Sequence, residues 1–150
     1  MRKKIILLMV SLLLPVAASA YDACIDGIYY NIVKKAKQAT VTYGNSESGT
    51  YSGKVVIPEK IIYDGIICDV VGIGTRAFEN CAISFLFLPN SITKSEKNAF
   101  GGFSEKDKAV IDTLCIADLA SWCNIEFGNY YSSPFRYTSY FYLNKEKITD

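Results

Sequence analysis

The stretch Gly74-Thr75-Arg76-Ala77-Phe78-Glu79-Asn80-Cys81 returns as Glu96-Lys97-Asn98-Ala99-Phe100-Gly101-Gly102-Phe103. The two Ala-Phe pairs stand 22 residues apart. A second echo precedes each of them: Val56-Ile57-Pro58 is repeated as Phe87-Leu88-Pro89. Self-similarity at a fixed interval is the mark of stacked repeat units. Each unit supplies a short strand and then a turn that sinks its Ala-Phe pair into the core. A unit of this size cannot bury its own apolar face, so it must stack on the next.

Around these echoes the chain reads as short strands and turns. Cys24 to Ile32 and Ala39 to Tyr43 read as strands, joined by the polar link Lys34 to Gln38. The segment 44–53 (GNSESGTYSG) has the composition of a loop. Lys54 to Pro58 reads as a strand closed by proline, which has no N–H to give a ladder. Ile61-Ile62-Tyr63 and Ile66-Ile67-Cys68 flank Asp64-Gly65, a dipeptide suited to the positive φ angles of a tight hairpin turn. No stretch holds a long 3.6-residue apolar period, so long helices are not expected.

Composition then removes whole classes of function. The 150 residues include no histidine, five cysteines and a formal charge of +1. Without histidine there is no histidine-based triad and no histidine-ligated zinc site. Arg2, Lys3 and Lys4, the apolar run from Ile5 to Val16, and Ala18-Ser19-Ala20 form the three-part pattern of a secretory leader. That run is too short to span a bilayer as a helix, which takes roughly 20 residues. Cleavage after Ala20 leaves 13 basic and 15 acidic residues, a charge of −2. No basic tract then remains for a nucleic acid or an acidic lipid surface.

All five cysteines, Cys24, Cys68, Cys81, Cys115 and Cys123, follow the leader. An odd number cannot all pair internally, and none form a C-x-x-C motif. Cys68, Cys81 and Cys115 lie in apolar stretches and read as buried thiols. A bridge, where one forms, is expected to involve Cys24, near the free end.

At this point the sequence resembles the BspA-like leucine-rich repeats of bacterial surface proteins. Their repeat reads roughly as a strand, then Ile-Pro-x-Ser-Val-Thr-x-Ile-Gly-x-x-Ala-Phe-x-x-Cys. Leu88-Pro89-Asn90-Ser91-Ile92-Thr93 is similar to the first half and Val71 to Cys81 to the second. Asp26-Gly27-Ile28-Tyr29-Tyr30 resembles the entry strand of the family. Trp122 to Phe127, Ser133-Pro134-Phe135 and Leu143-Asn144 resemble one of its variant repeats. The 22-residue interval falls in the family's range of roughly 20 to 29 residues. Ser95-Glu96 departs from the pattern where Ile73-Gly74 stood, so the second repeat is expected to pack loosely or turn differently there. Phe103 replaces Cys81, and the pattern stops at Asp150 without a further strand.

The resemblance implies an α/β leucine-rich-repeat solenoid, strand-rich with short helical turns, behind an N-terminal β-hairpin cap. The expected organisation is a signal peptide over 1–20, the cap over 21–53, and two to three irregular repeats over 54–150. It further implies an exported protein (extracellular, at the cell surface, or periplasmic) that binds protein or glycan partners such as host matrix proteins, with no membrane span after cleavage. A structural component docking to another chain through its open C-terminal end is the alternative.

Candidate chemistry is sparse. Asp112, Asp118 and Glu126 read as solvated carboxylates, with nothing to set two of them about one bond. Asp22 and Asp26 do not make a calcium loop. Gly72 and Gly74 read as turn glycines, not a phosphate cradle. No enzyme activity, metal or cofactor is expected. The candidate binding residues are Tyr130, Tyr131, Tyr137, Tyr140 and Tyr142, within a tail that holds eight aromatics between Phe127 and Tyr142. Tyrosine offers a large contact area with a polar tip. Phe127, Phe135, Phe141 and Trp122 are expected in the core.

Overall fold

The computed structural model describes residues 20–45, 49–144 and 146–147. The leader reading of 1–20 lies, Ala20 apart, outside the described residues. Twelve strands are described: β1 (Ala23–Ile25), β2 (Ile28–Val33), β3 (Gln38–Thr42), β4 (Ser52–Val56), β5 (Lys60–Tyr63), β6 (Ile66–Ile73), β7 (Ala82–Leu88), β8 (Lys94–Ser95), β9 (Val110–Ile116), β10 (Glu126–Phe127), β11 (Thr138–Leu143) and β12 (Glu146–Lys147). One short α-helix, α1 (Leu119–Cys123), is started by the Asp118 carboxylate, which accepts the Ser121 N–H at 2.7 Å.

The strands form two mixed sheets. The first runs β1-β2-β3-β6-β8-β10, with β5 also paired to β6. The second runs β12-β11-β9-β7-β4. The repeats appear as parallel ladders within them. On the first sheet Val41, Ile73, Ser95 and Phe127 stand in one row, and Thr40, Gly72, Lys94 and Glu126 in the next. On the second, β4, β7, β9 and β11 are all parallel. The regularity expected over 54–150 is interrupted. β5 folds back antiparallel on β6 and β12 lies antiparallel to β11; before that range β1, β2 and β3 form an antiparallel meander.

The core lies between the sheets. Val55, Leu86 and Leu114 share a row on the second sheet and are buried, as are Leu88 and Ile116. The Ala-Phe turns close the units at one end, and their sequence echo is also an echo of backbone. Arg76 and Asn98, each just before Ala-Phe, take the left-handed conformation at φ 60° and 59°. The turns stack directly, with the Phe78 N–H donating to Ala99 O at 2.8 Å and the Phe100 N–H to Tyr131 O at 3.1 Å. Phe78 and Phe100 are fully buried and stacked, centroids 5.0 Å apart with planes 9° apart. The stack continues through Tyr51, 4.9 Å from Phe78, whose hydroxyl donates to Thr42 O and accepts the Tyr29 N–H at 3.1 Å. Burying one such ring contributes about 1.5–3 kcal/mol, so this spine joins the repeats to the N-terminal meander.

Several expectations need correcting. Cys24 to Ile32 is not one strand: it turns at Asp26-Gly27, at φ 50° and 78°. Those angles match the expected turn at Asp64-Gly65, at φ 49° and 74°. Gly72 and Gly74 are not turn glycines. They let β3 approach: a Cβ on Gly74 would sit 3.1 Å from Val41 O, the acceptor of the Gly74 N–H. The second repeat is not loosened at Ser95-Glu96. Ser95 is buried and donates to Ser132 O at 2.6 Å, and the Glu96 carboxylate accepts from the Thr75 N–H and hydroxyl at 3.1 and 3.0 Å. All five cysteines are free thiols, so the Cys24 bridge does not form. Cys68, Cys81 and Cys115 are buried as expected.

Candidate functional site

The outward face of the second sheet gathers side chains from four parallel strands. Side chains alternate between faces along a strand. Leu86, Leu114 and Phe141 occupy an inward row, so the rows beside them face out. One is Lys54, Phe85, Thr113 and Tyr140; the other is Val56, Phe87, Cys115 and Tyr142. A register shift between Gly53 and Lys54, opposite Ser84, sets the first row in line.

This surface is aromatic and nearly uncharged. Tyr140 is 50% exposed and Val56 47%. Phe85, Phe87 and Tyr142 are half-buried. The Lys54 ammonium lies over the Phe85 ring, 5.6 Å from its centroid, a cation–π contact that holds the ring against the sheet. Cys115 is buried although its row faces outward, lying between Phe87 and Tyr142 in the ladder. In each row the two rings lie on β7 and β11 with β9 between them, about 10 Å apart at two strand spacings.

The five candidate tyrosines fall into two groups. Tyr140 and Tyr142, two residues apart on β11, belong to the outward face. Tyr130, Tyr131 and Tyr137 belong to the turn that stacks on the second Ala-Phe turn. There the Arg136 guanidinium lies 3.3 Å from the Tyr130 centroid and 5.9 Å from that of Tyr137. Tyr131 meets Tyr130 and Phe103 edge-to-face at 5.3 and 5.2 Å. Burial pushes the Tyr137 hydroxyl pKa up, and the Arg136 charge only partly offsets it. An Asn98–Asn129 pair fixes this turn, with the Asn129 Nδ2 donating to Asn98 Oδ1 at 2.6 Å and the Asn98 N–H to Asn129 Oδ1 at 3.1 Å.

Of the residues expected in the core, Trp122 and Phe141 pack against it half-buried, and Phe127 is half-buried with its ring 5.5 Å from Trp122. Phe135 is 55% exposed and does not fill the core, because its place in the Pro134–Tyr137 turn leaves it resting on the edge of Phe141. Sequence reasoning missed Lys54, Val56, Phe85 and Phe87. The signal was available: the echo of Val56-Ile57-Pro58 in Phe87-Leu88-Pro89 is the observed β4–β7 register.

Among the described residues no group of three or more histidine, cysteine, aspartate or glutamate side chains could hold a metal ion. No described helix is long and apolar enough to cross a membrane.

No family model matches the chain, and no curated protein does. Two solved structures are similar to parts of it. One is a leucine-rich repeat protein from Bacteroides ovatus, at 27% identity and a TM-score of 0.47. That match covers 67% of this chain and 24% of the other, so the chain spans about a quarter of that protein's length. The second is a leucine-rich repeat protein from Bacteroides capillosus, at 18% identity and a TM-score of 0.46, covering 81% of this chain and 96% of that one.

Proposed function

We propose that this chain is an exported, non-enzymatic interaction module of the BspA-like leucine-rich-repeat kind. In this reading the repeats form a short solenoid, the β1–β3 meander caps it, and the outward face of the second sheet binds a protein or glycan partner. The observation that carries the reading is the alignment of Val56, Phe85, Phe87, Tyr140 and Tyr142 across parallel strands. Aromatic anchors on a rigid surface supply most of the energy in many interfaces. The fold by itself names no ligand. The test is an array of glycans and matrix proteins probed with the protein and with a Phe85→Ala/Tyr140→Ala variant. Loss of capture with an unchanged melting temperature supports the reading. Unchanged capture overturns this face as the site, and a loss confined to a Tyr130→Ala/Tyr131→Ala/Tyr137→Ala variant moves the site to the turn.

A second reading, docking through the C-terminal end, is favoured by the last repeat. Phe141 and Leu143 are half-buried, whereas their row partners Leu114 and Ile116 are buried. Trp122, Ile125 and Phe127 are half-buried beside them. An end of that kind suits a further unit stacked upon it. Light scattering over a concentration series decides: growth into larger species supports end docking, and a monomer at high concentration counts against it.

A further inference from the structure

The second sheet ends at β4 among the described residues. The Ile57 N–H donates to Phe87 O at 3.2 Å. In a parallel ladder alternate residues direct their main-chain groups to the same side. Val55 and Ile57 therefore serve β7, and the N–H and C=O groups of Lys54 and Val56 point the other way. On that side lies a groove of about 510 Å³. Tyr51, Lys54 and Val56 line one part of it and the Asp26-Gly27 turn and Ile28 another. That turn belongs to the first sheet, so the groove separates the two sheets where β4 has an edge to offer.

Open edges are usually blunted by a charge, a bulge or a proline. β4 has the first two, Lys54 and the register shift at Gly53, with Pro58 just beyond its end. It also keeps Val56, 47% exposed, at the open end of the apolar outward row. We propose that the β4 edge accepts an extended peptide as an added strand. The peptide carries one acidic residue beside Lys54 and one apolar residue beside Val56, two positions apart, so that both outward rows continue by one strand. Cross-strand pairs of opposite charge and of apolar groups stabilise such additions. Asp26 across the groove disfavours a run of acids, so a single carboxylate is selected. The site shares Lys54 and Val56 with the aromatic face but is read at their main-chain groups, which a Phe85→Ala/Tyr140→Ala variant leaves in place, so the two readings fail separately.

The test uses the full chain and two blocked hexapeptides, Thr-Thr-Glu-Thr-Val-Thr and Thr-Thr-Lys-Thr-Val-Thr, followed by residue-resolved amide hydrogen exchange. The glutamate peptide is expected to slow exchange at Lys54 and Val56 by roughly tenfold at saturation and to leave Val55 unchanged. Val56→Pro removes the N–H that faces the groove and no bond to β7, so it should abolish the effect. Lys54→Glu should transfer the preference to the lysine peptide, and it decides the matter alone if the proline variant does not fold. No slowing at either amide overturns the proposal. So does protection already present without peptide, or protection that grows with protein concentration, since the edge is then covered by this chain or by a second copy.

Discussion

Replacing Phe100 by alanine tests the stacked Ala-Phe turns directly. The ring is fully buried and lies flat on Phe78 at 5.0 Å. Truncating a buried phenylalanine costs about 3–5 kcal/mol, because the lost transfer energy is joined by a cavity that neighbours fill only in part. About 0.5–1.5 kcal/mol of that is the ring pair itself. A domain of this size is stable by about 5–15 kcal/mol in all, so one substitution removes a large share. With a urea slope of about 2 kcal/mol per molar, a loss of about 4 kcal/mol lowers the midpoint by about 2 M. Phe103 is the internal control. It lies three residues further on and is 87% exposed, so Phe103→Ala should stay within about 0.5 kcal/mol of the parent. Phe78→Ala should match Phe100→Ala, and the double variant should cost less than the sum by roughly the ring-pair energy. Equal shifts for Phe100→Ala and Phe103→Ala, or a Phe100→Ala shift below about 0.5 M, would refute the stacked core.

Three further outcomes follow from the geometry. Gly128→Ala should lower stability by about 1–3 kcal/mol in thermal melts, since its Cβ would lie 2.8 Å from the Lys97 nitrogen and 3.1 Å from the Glu96 carbonyl carbon, main-chain atoms that cannot swing aside. A wild-type melting temperature for that variant would contradict the close approach of the third repeat to the second. Native thiol labelling should modify Cys24 and Cys123 quickly and Cys68, Cys81 and Cys115 only after unfolding. Burial raises the Cys81 thiol pKa, and burial likewise raises those of the Tyr30 and Tyr51 hydroxyls. Above its ordinary range each group loses its proton more readily in the unfolded chain. The Cys81 contribution to stability is thus full below about pH 8.5 and those of Tyr30 and Tyr51 below about pH 10, each being lost as pH rises beyond. A midpoint unchanged between neutral pH and about pH 10 would count against burial of Cys81.

What the sequence made legible is local chemistry that recurs. The Ala-Phe echo announced the turns because a left-handed residue and a buried ring are demanded at each, and Arg76 and Asn98 meet the same φ in different chemistry. The Asp64-Gly65 turn was legible for the same reason. The Asp26-Gly27 turn has the same dipeptide, but the strand before it is only Ala23–Ile25, too short a run to read as the first arm of a hairpin, so Cys24 to Ile32 looked continuous. The errors lie where the decisive partner is distant in sequence. Ser95 looks like a damaged core position until Ser132, 37 residues on, supplies the acceptor that satisfies its hydroxyl. Gly72 and Gly74 look like turn residues until β3 is brought against them.

The tyrosine tail shows the same limit from the functional side. Closeness along the chain suggested one surface, yet the strand begins at Thr138 and alternation starts there. Tyr140 and Tyr142 therefore join residues from β4, β7 and β9, while Tyr130, Tyr131 and Tyr137 stay with the preceding turn. A binding face in a stacked-repeat protein is read across the strands, one residue from each. The members of the proposed face, Lys54 with Phe85, Thr113 and Tyr140, or Val56 with Phe87, Cys115 and Tyr142, lie some 27 to 31 residues apart in the chain. The register between repeats, and not the density of aromatics in any one segment, decides which side chains a ligand can touch together.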